Sequence, residues 1–347
     1  MSSENGQLHW RTTIKGHNDS VCNSVDFWLD DLESVNKEPK FPKVPRTRGR
    51  PISPEFQALH NIARRIRPLV RGSLVRGIRD FQKNIDLNDL ADAISRNNAQ
   101  DAFDVVPWED FRGAIKGVDM AILEGVSDSA AKSKFLFRQS IKKLIPTLRP
   151  DVVFNADNPA IRSWIDSHIG ELVQNVQSDT QKGIQRIIAD SMNAGLPPRT
   201  TAKSIKEIIG LNDRQVQAVI NRRAALVGQG VKGARLEDIM SQFTLKQLKY
   251  RSETIARTEA MTANNRGLLE VANQNADKGL YDRKLAQKEW IVTPYDRVCR
   301  ICRPMAGAKV GIDEDFYVAK LGINIAHPPA HPNCNCGWAV VLLEGAV

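Results

Sequence analysis

Apolar residues recur every three or four positions along most of the chain, which is the spacing of one face of an α-helix. The clearest run extends from Ile161 to Ile188. Asn158-Pro159 precedes it as a helix start, and the stretch 195–198 follows it as a stop. The pattern predicts a helix of about thirty residues, which would be about 45 Å long.

The same spacing predicts further helices and, near the end of the chain, gives way to short strands. The expected helices cover residues 55–80 with an interruption at Pro68, 109–123, 129–145, 201–209, 213–226, 236–243 and 244–276. After Gly279, the segments 289–293 and 338–342 have the composition of strands. The expected fold class is mainly α: an elongated helical body with a small α+β C-terminal Cys/His (zinc-knot) module.

We therefore predict four regions. Residues 1–54 form a Pro-rich basic arm, 55–150 a helical region, 151–278 a second helical region with long helices, and 279–347 the Cys/His module. The arm carries several prolines among basic residues, a composition that favours extended conformations over a core. The sequence contains no apolar run of membrane-spanning length and no secretory signal pattern, so we expect synthesis in the cytoplasm and no membrane anchor.

Charge is concentrated near the beginning of the chain. The net charge is +9, and residues 37–80 alone carry twelve basic and three acidic side chains. This asymmetry predicts a polyanionic partner such as nucleic acid. A solvated linker and helix face explains it equally well, because few aromatic residues interleave to stack on bases. The candidate nucleic-acid contacts are Arg46, Arg48, Arg50, Arg64, Arg65, Arg67, Arg71, Arg76 and Arg79.

Four of the five cysteines lie close together near the C-terminus, and Cys22 stands alone. Cys299 and Cys302 have the spacing of a metal-binding turn, while Cys334 and Cys336 would point to one face of an extended segment. His331 precedes Cys334 by three residues, within reach of the same ion. In a reducing cytoplasm such a cluster indicates a metal site rather than disulfides.

Zinc suits this mixture of thiolate and imidazole donors best. Five donors exceed the four that a tetrahedral ion takes, so we favour Cys299, Cys302, Cys334 and His331, with Cys336 as the alternative fourth ligand. Four protein ligands leave no open position, which predicts a structural ion.

Other interpretations of the cluster fit less well. A redox Cys-x2-Cys would need a βαβ context, and a zinc deaminase would need a glutamate two residues after its histidine. Pro329 and Asn333 occupy those positions after His327 and His331. The sequence also has no phosphate-binding glycine loop, no Gly-x-Ser-x-Gly and no His-Glu-x2-His, so we do not expect an enzyme.

An ordered set of motifs resembles the phage head-morphogenesis family of the Mu-like F minor head protein. It consists of Ile255-Ala-Arg-Thr-Glu-Ala260, Trp290, Thr293-Pro-Tyr-Asp-Arg-Val-Cys299-x2-Cys302 and His331-Pro-Asn-Cys334-Asn-Cys336. The resemblance spans about residues 184–341. Relatives often end in Cys-Arg-Cys, so Asn335 is a departure that leaves the thiols intact. We interpret Arg257, Thr258, Glu259 and Trp290 as structural motif residues, with Arg257 and Glu259 bridging their helix to the Cys/His module.

The resemblance implies a minor structural protein of a tailed-phage head that is made in the host cytoplasm and resides at the portal vertex inside the virion. Its implied partners are the portal protein, other head proteins and packaged DNA, and its implied roles are procapsid assembly and genome packaging or delivery. The alternative function is a zinc-containing nucleic-acid-binding protein that uses the basic segment 37–79.

Overall fold

The computed structural model describes residues 54–96, 98–292 and 298–347. Most of them are helical, which confirms the mainly α class, and strands occur in the C-terminal part. The helices are α1 (Pro54–Asn84), α2 (Leu87–Ser95), α3 (Ala99–Asp104), α4 (Trp108–Ala114), α5 (Gly117–Leu144), α6 (Pro159–Asn193), α7 (Pro198–Ile208), α8 (Asp213–Gly228) and α9 (Gly233–Asp277). The strands are β1 (Ala286–Ile291), β2 (Lys309–Gly311), β3 (Phe316–Val318), β4 (Ile323–Ile325) and β5 (Gly337–Leu342).

One apolar core joins the helices on both sides of residue 150. Helices α1, α5 and α9 pack side by side, and Ile66, Ile122 and Ala260 are completely buried between them. Isoleucines of α6, such as Ile161 and Ile184, extend the same core. The predicted arm (residues 1–54) lies outside the described residues except for Pro54, the first residue of α1.

Small residues let α5 and α9 approach each other closely. A methyl group on Gly267 would lie 2.5 Å from the Val126 carbonyl oxygen and 2.8 Å from Ser129 Cβ. At the same crossing, the Ser129 hydroxyl donates a 2.6 Å hydrogen bond to the Asn264 carbonyl. Only a residue without Cβ fits at position 267, so the packing fixes the register of the two helices.

The helix α6 confirms the long helix predicted between Asn158 and Gly195, and Asn158 caps it. The predicted helices 201–209 and 213–226 correspond to α7 and α8, but the boundaries near Pro68 and Thr244 were wrong. Pro68 lies inside α1 on its exposed side, where water can satisfy the carbonyl group that loses its partner. The expected break at Thr244 is absent from α9, because no Gly or Pro stands there and the Thr244 hydroxyl bonds the Met240 carbonyl within the helix.

The predicted helices 109–123 and 129–145 were also divided incorrectly. The break falls at residues 115–116, and α5 then runs unbroken from Gly117 to Leu144. At Gly117 a Cβ would lie only 2.7 Å from the Ser73 hydroxyl of α1, so the first residue of α5 packs closely against α1. The unpredicted short helices α2 and α3 begin at side-chain caps from Asp86 and Asn98.

The C-terminal residues form an antiparallel sheet of strand order β2-β1-β5 and a separate β3–β4 hairpin. The two predicted strands pair with each other, which places Trp290 opposite Trp338. Trp290 is buried and meets Phe316 of the hairpin edge to face at 5.2 Å between ring centroids. Among the described residues, no helix is long and apolar enough to cross a membrane.

Candidate metal centre

Two turns bring the cysteines together. In the first, the Arg303 amide donates to the Cys299 carbonyl at 3.0 Å and opens a short 3₁₀ helix at Arg303–Met305. The Cys302 amide donates to the Cys299 sulfur at 3.3 Å. This N–H···S bond turns the Cys299 sulfur toward Cys302, as the Cys-x2-Cys spacing predicts.

The second turn lies between β4 and β5 and carries the other three donors. The Cys334 amide donates to the His331 carbonyl at 3.1 Å and closes the turn. Asn333, between them, has a left-handed backbone with φ of 61°, a conformation that asparagine tolerates better than most residues. Cys334 and Cys336 are both buried.

The five donors form two groups that share Cys302. One group is Cys299, Cys302 and His331, the other is Cys302, Cys334 and Cys336, and within each group the ligand atoms lie within 4.8 Å of one another. The Nε2 atom of His331 lies 3.0 Å from the Cys299 sulfur and 3.2 Å from the Cys302 sulfur. The sulfurs of Cys302 and Cys334 are 3.6 Å apart.

The separation of the Cys302 and Cys334 sulfurs fits two ligands of one tetrahedral ion. Two sulfurs bonded at 2.3 Å to such an ion are about 3.8 Å apart, close to the Cys302–Cys334 distance. The second ring nitrogen of His331, Nδ1, lies 2.8 Å from the Pro332 carbonyl. Donation from Nδ1 to that carbonyl fixes the tautomer and leaves the Nε2 lone pair directed at the sulfurs, which favours His331 as a ligand.

The thiols are electrostatically coupled. A hydrogen bond from the Cys302 thiol lowers the pKa of Cys299 to about 4, while the bond to Cys299 raises the pKa of Cys302. Burial opposes the charge on His331, but its bonds to the thiolates of Cys299 and Cys334 raise its pKa to about 10. A bound cation would replace these shared protons, so its affinity must depend on pH.

The residues between the ligands attach this segment to the helical body. The Asn333 amide donates to the Thr258 hydroxyl of α9 at 3.0 Å, and the Asn265 side chain of α9 donates to the Cys336 carbonyl at 3.2 Å. The Asn335 backbone bonds His60 of α1. The attachment points thus lie within the same short segment as the ligands His331, Cys334 and Cys336.

Residues 182–339 match the model of a family described as Phage Mu protein F like protein. The match begins within α6, covers α7 to α9 and includes all five donors. Residues 182–339 belong to the Mu F-like family. It is a family of structural phage head proteins. No curated protein and no solved structure matches the chain.

Two motif residues of the Mu F-like region, Arg257 and Glu259, do not bridge α9 to the Cys/His module as expected. Thr258, not Glu259, makes the bond to the Cys/His module. Glu259 is buried against α6 and pairs with His168, because its side chain leaves α9 about 100° around the helix from that of Thr258. Arg257 faces α1. Burial is the larger cause of its lowered pKa, and the nearby charge of Arg67 lowers the pKa further. Trp290 packs in the core of the module beside Cys302, Cys334 and Cys336.

The arginines predicted to contact nucleic acid divide into three groups. Arg46, Arg48 and Arg50 lie outside the described residues. Three others on α1 form ion pairs within the protein: Arg65 with Asp128, and Arg67 and Arg71 with Glu253. Arg64, Arg76 and Arg79 are exposed. The internal pairs weaken the positive potential of α1 that composition alone indicates.

Sequence reasoning missed two buried amides of α9, Gln274 and Asn275, which hold the segment that joins α5 to α6. Asn265, Gln274 and Asn275 are buried on α9 although helix interiors rarely bury amides. The side-chain amide of Asn275 bonds the backbone N–H and the carbonyl of Val153, at 2.8 Å each. The side-chain amide of Gln274 likewise bonds the backbone N–H and the carbonyl of Asn155. The only signal in the sequence is the density of amides on this stretch of α9.

Proposed function

We propose that the chain is a minor structural protein of a tailed-phage head that sits at the portal vertex. Its role would be in procapsid assembly and in packaging or delivering the genome. The observation that carries this proposal is the family match over residues 182–339, in which the full Cys/His donor set is retained.

Zinc is the proposed ion. The donor set combines soft thiolates with one imidazole, and the distance between the Cys302 and Cys334 sulfurs suits a tetrahedral ion. Cys299, Cys302, Cys334 and His331 would hold it. Zinc there would supply cohesion rather than chemistry, because four protein ligands leave no position for a substrate or water. Protein purified under reducing conditions should therefore contain zinc at close to one equivalent per chain.

The ion would make the C-terminal module a rigid attachment on α9. Without it, the ligand segment would keep its packing against Trp290 and its hydrogen bonds to Thr258, Asn265 and His60, but would lose the constraint that joins its two turns. A small module that is fixed on a helix of 45 residues is a suitable docking element for an oligomeric partner.

The portal protein and other head proteins are the proposed protein partners, inside the head at the portal vertex. Packaged DNA is the proposed partner of the basic segment 37–79. Within that segment, the exposed side chains of Arg76 and Arg79 support a DNA contact from α1.

Incorporation into proheads tests the proposal. Proheads purified from an infection should contain the protein, and a pull-down through a tag on it should recover the portal protein. Deleting its gene should give heads that are fewer in number or fail to retain or deliver DNA. Normally assembled, infectious heads that lack the protein would contradict the proposed function.

A further inference from the structure

A row of basic side chains lines the groove between α1 and α9, which we call the α1–α9 seam. His60, Arg64, Arg67 and Arg71 follow each other at helical spacing along one edge of α1. The facing residues of α9 are Tyr250, Glu253 and Arg257. The positive charges of Arg64 and Arg257 both act on His60, whose pKa falls to about 4 chiefly because the ring is buried.

The seam carries more positive than negative charge. Among the residues that the structure describes, its four guanidinium groups face one carboxylate, that of Glu253. This carboxylate pairs with Arg67 through one oxygen, and its second oxygen lies 3.5 Å from Nε of Arg71. Arg64 is exposed and bonds the Asn61 amide oxygen at 2.5 Å.

Arg257 is the distinctive member of the seam. It is half-buried, and burial together with the nearby Arg67 charge lowers its pKa. Within residues 54–96, 98–292 and 298–347, no carboxylate forms an ion pair with it. The Glu253 carboxylate acts on Arg257 only at a distance and already pairs with Arg67, so partial burial of this guanidinium costs free energy that an incoming anion would recover.

We propose that the α1–α9 seam binds an acidic segment of a partner protein, whose carboxylates pair with Arg257 and Arg64. The seam already holds one carboxylate, that of Glu253, between two guanidinium groups, so its donors are arranged for carboxylate geometry. The half-buried Arg257 is within reach of a flexible side chain but is poorly placed for the phosphates of a stiff duplex. Tyr250, 49% exposed beside it, offers an aromatic surface to the partner.

This site is separate from the proposed zinc centre and does not depend on where the protein sits in the head. It gives the motif residue Arg257 a role in recognition. It also assigns Arg64, Arg67 and Arg71 to carboxylate binding rather than to DNA.

Binding of a short fluorescent polyglutamate peptide to the full-length protein, followed by fluorescence anisotropy at low salt, tests the proposal. Arg257→Gln should weaken binding about tenfold, the effect of losing one charge-assisted hydrogen-bonded pair. Glu253→Gln should strengthen binding severalfold, because it removes the internal competitor for Arg67 and Arg71. An increase in peptide affinity in Glu253→Gln would show that the peptide binds at the seam and not at basic residues elsewhere.

Two further variants keep the test decisive. Arg64→Gln changes an exposed side chain, so it should lower peptide affinity without disturbing the fold if Arg257→Gln proves unstable. Arg235 is an exposed arginine near the start of α9, and Arg235→Gln should leave the affinity for the peptide unchanged. Equal affinity of Arg64→Gln and the natural protein, or weaker binding by Glu253→Gln, would overturn the proposal. So would a DNA duplex that binds more tightly than the peptide and loses affinity on Arg257→Gln.

Discussion

The hydroxyl of Thr258 accepts a 3.0 Å hydrogen bond from the backbone amide of Asn333, and this bond connects the longest helix to the segment that carries three of the five metal-binding candidates. The same hydroxyl donates to the Thr254 carbonyl one turn earlier. A single side chain on α9 thus fixes the position of the turn between His331 and Cys334.

Replacing Thr258 with Val should therefore loosen this attachment. Valine preserves the shape but leaves the buried Asn333 amide without its acceptor, so the free energy of unfolding should fall by about 1 kcal/mol. Urea denaturation measures the change. Thr262→Val is the matched control, because Thr262 makes the same bond within the helix but none to the module. Equal losses in the two variants would show that the bond to Asn333 contributes nothing.

The identity of the fourth metal ligand is open to a direct comparison. Because Nδ1 of His331 faces the Pro332 carbonyl and Nε2 faces the sulfurs, His331→Ala should release the metal, whereas Cys336→Ser should retain it. The visible spectrum of the cobalt-substituted protein distinguishes three sulfurs and one nitrogen from four sulfurs. Metal loss in Cys336→Ser but not in His331→Ala would reverse the assignment, and Cys22→Ser serves as the control for a distant thiol.

The packing at the α5–α9 crossing predicts a large effect of one methyl group. In Gly267→Ala, the new Cβ would lie 2.5 Å from a backbone oxygen of α5 that cannot move aside. We expect a loss of about 1–3 kcal/mol in the free energy of unfolding, as for other overpacked sites. Gly170→Ala in the middle of α6 meets no atom within 4 Å and should instead stabilise the protein by roughly 0.5–1 kcal/mol. A neutral Gly267→Ala would contradict the close approach.

The buried pair of His168 and Glu259 should make stability depend on pH. Burial opposes the charge of His168, but the Glu259 carboxylate outweighs it and holds the pKa of His168 above 6.5. A raised folded-state pKa means that the stabilisation is complete below pH 6.5 and disappears as the pH rises through the folded-state value. His168→Gln should therefore flatten the decline in unfolding free energy above neutral pH, measured by urea denaturation at several pH values.

The pH control is His60, whose shift has the opposite sign. Burial is the main reason that its pKa falls to about 4, so its contribution is present above pH 6.5 and is lost as the pH falls toward 4. His60→Gln should thus alter the acid side of the profile only. An unchanged alkaline decline in His168→Gln would show that the pair with Glu259 does not set it.

Local patterns predicted the elements that depend on local rules. The span of α6 follows from its apolar spacing, the Asn158 cap and the stop after Asn193, all within a single stretch of sequence. The two segments with strand composition are strands. The Cys/His spacing likewise identified all five donors that the structure brings together.

Distant contacts determined what local patterns could not predict. Gly117 of α5 packs closely against Ser73 of α1, and the buried Asn275 finds its partner in Val153, more than a hundred residues away. Glu259 was expected to face the module but pairs with His168, because the packing of α6 decides which side of α9 is buried. Ion pairs such as Arg67–Glu253 similarly depend on the tertiary fold, so charge counting along α1 overestimated its free positive charge.

The most direct test of the proposed function is cryo-electron microscopy of the phage head with its portal in place, without imposed icosahedral symmetry. We predict density for the helical body and for a metal-containing C-terminal module at the portal vertex, inside the head. Density that places the protein elsewhere in the particle, or complete heads from which it is absent, would contradict the account.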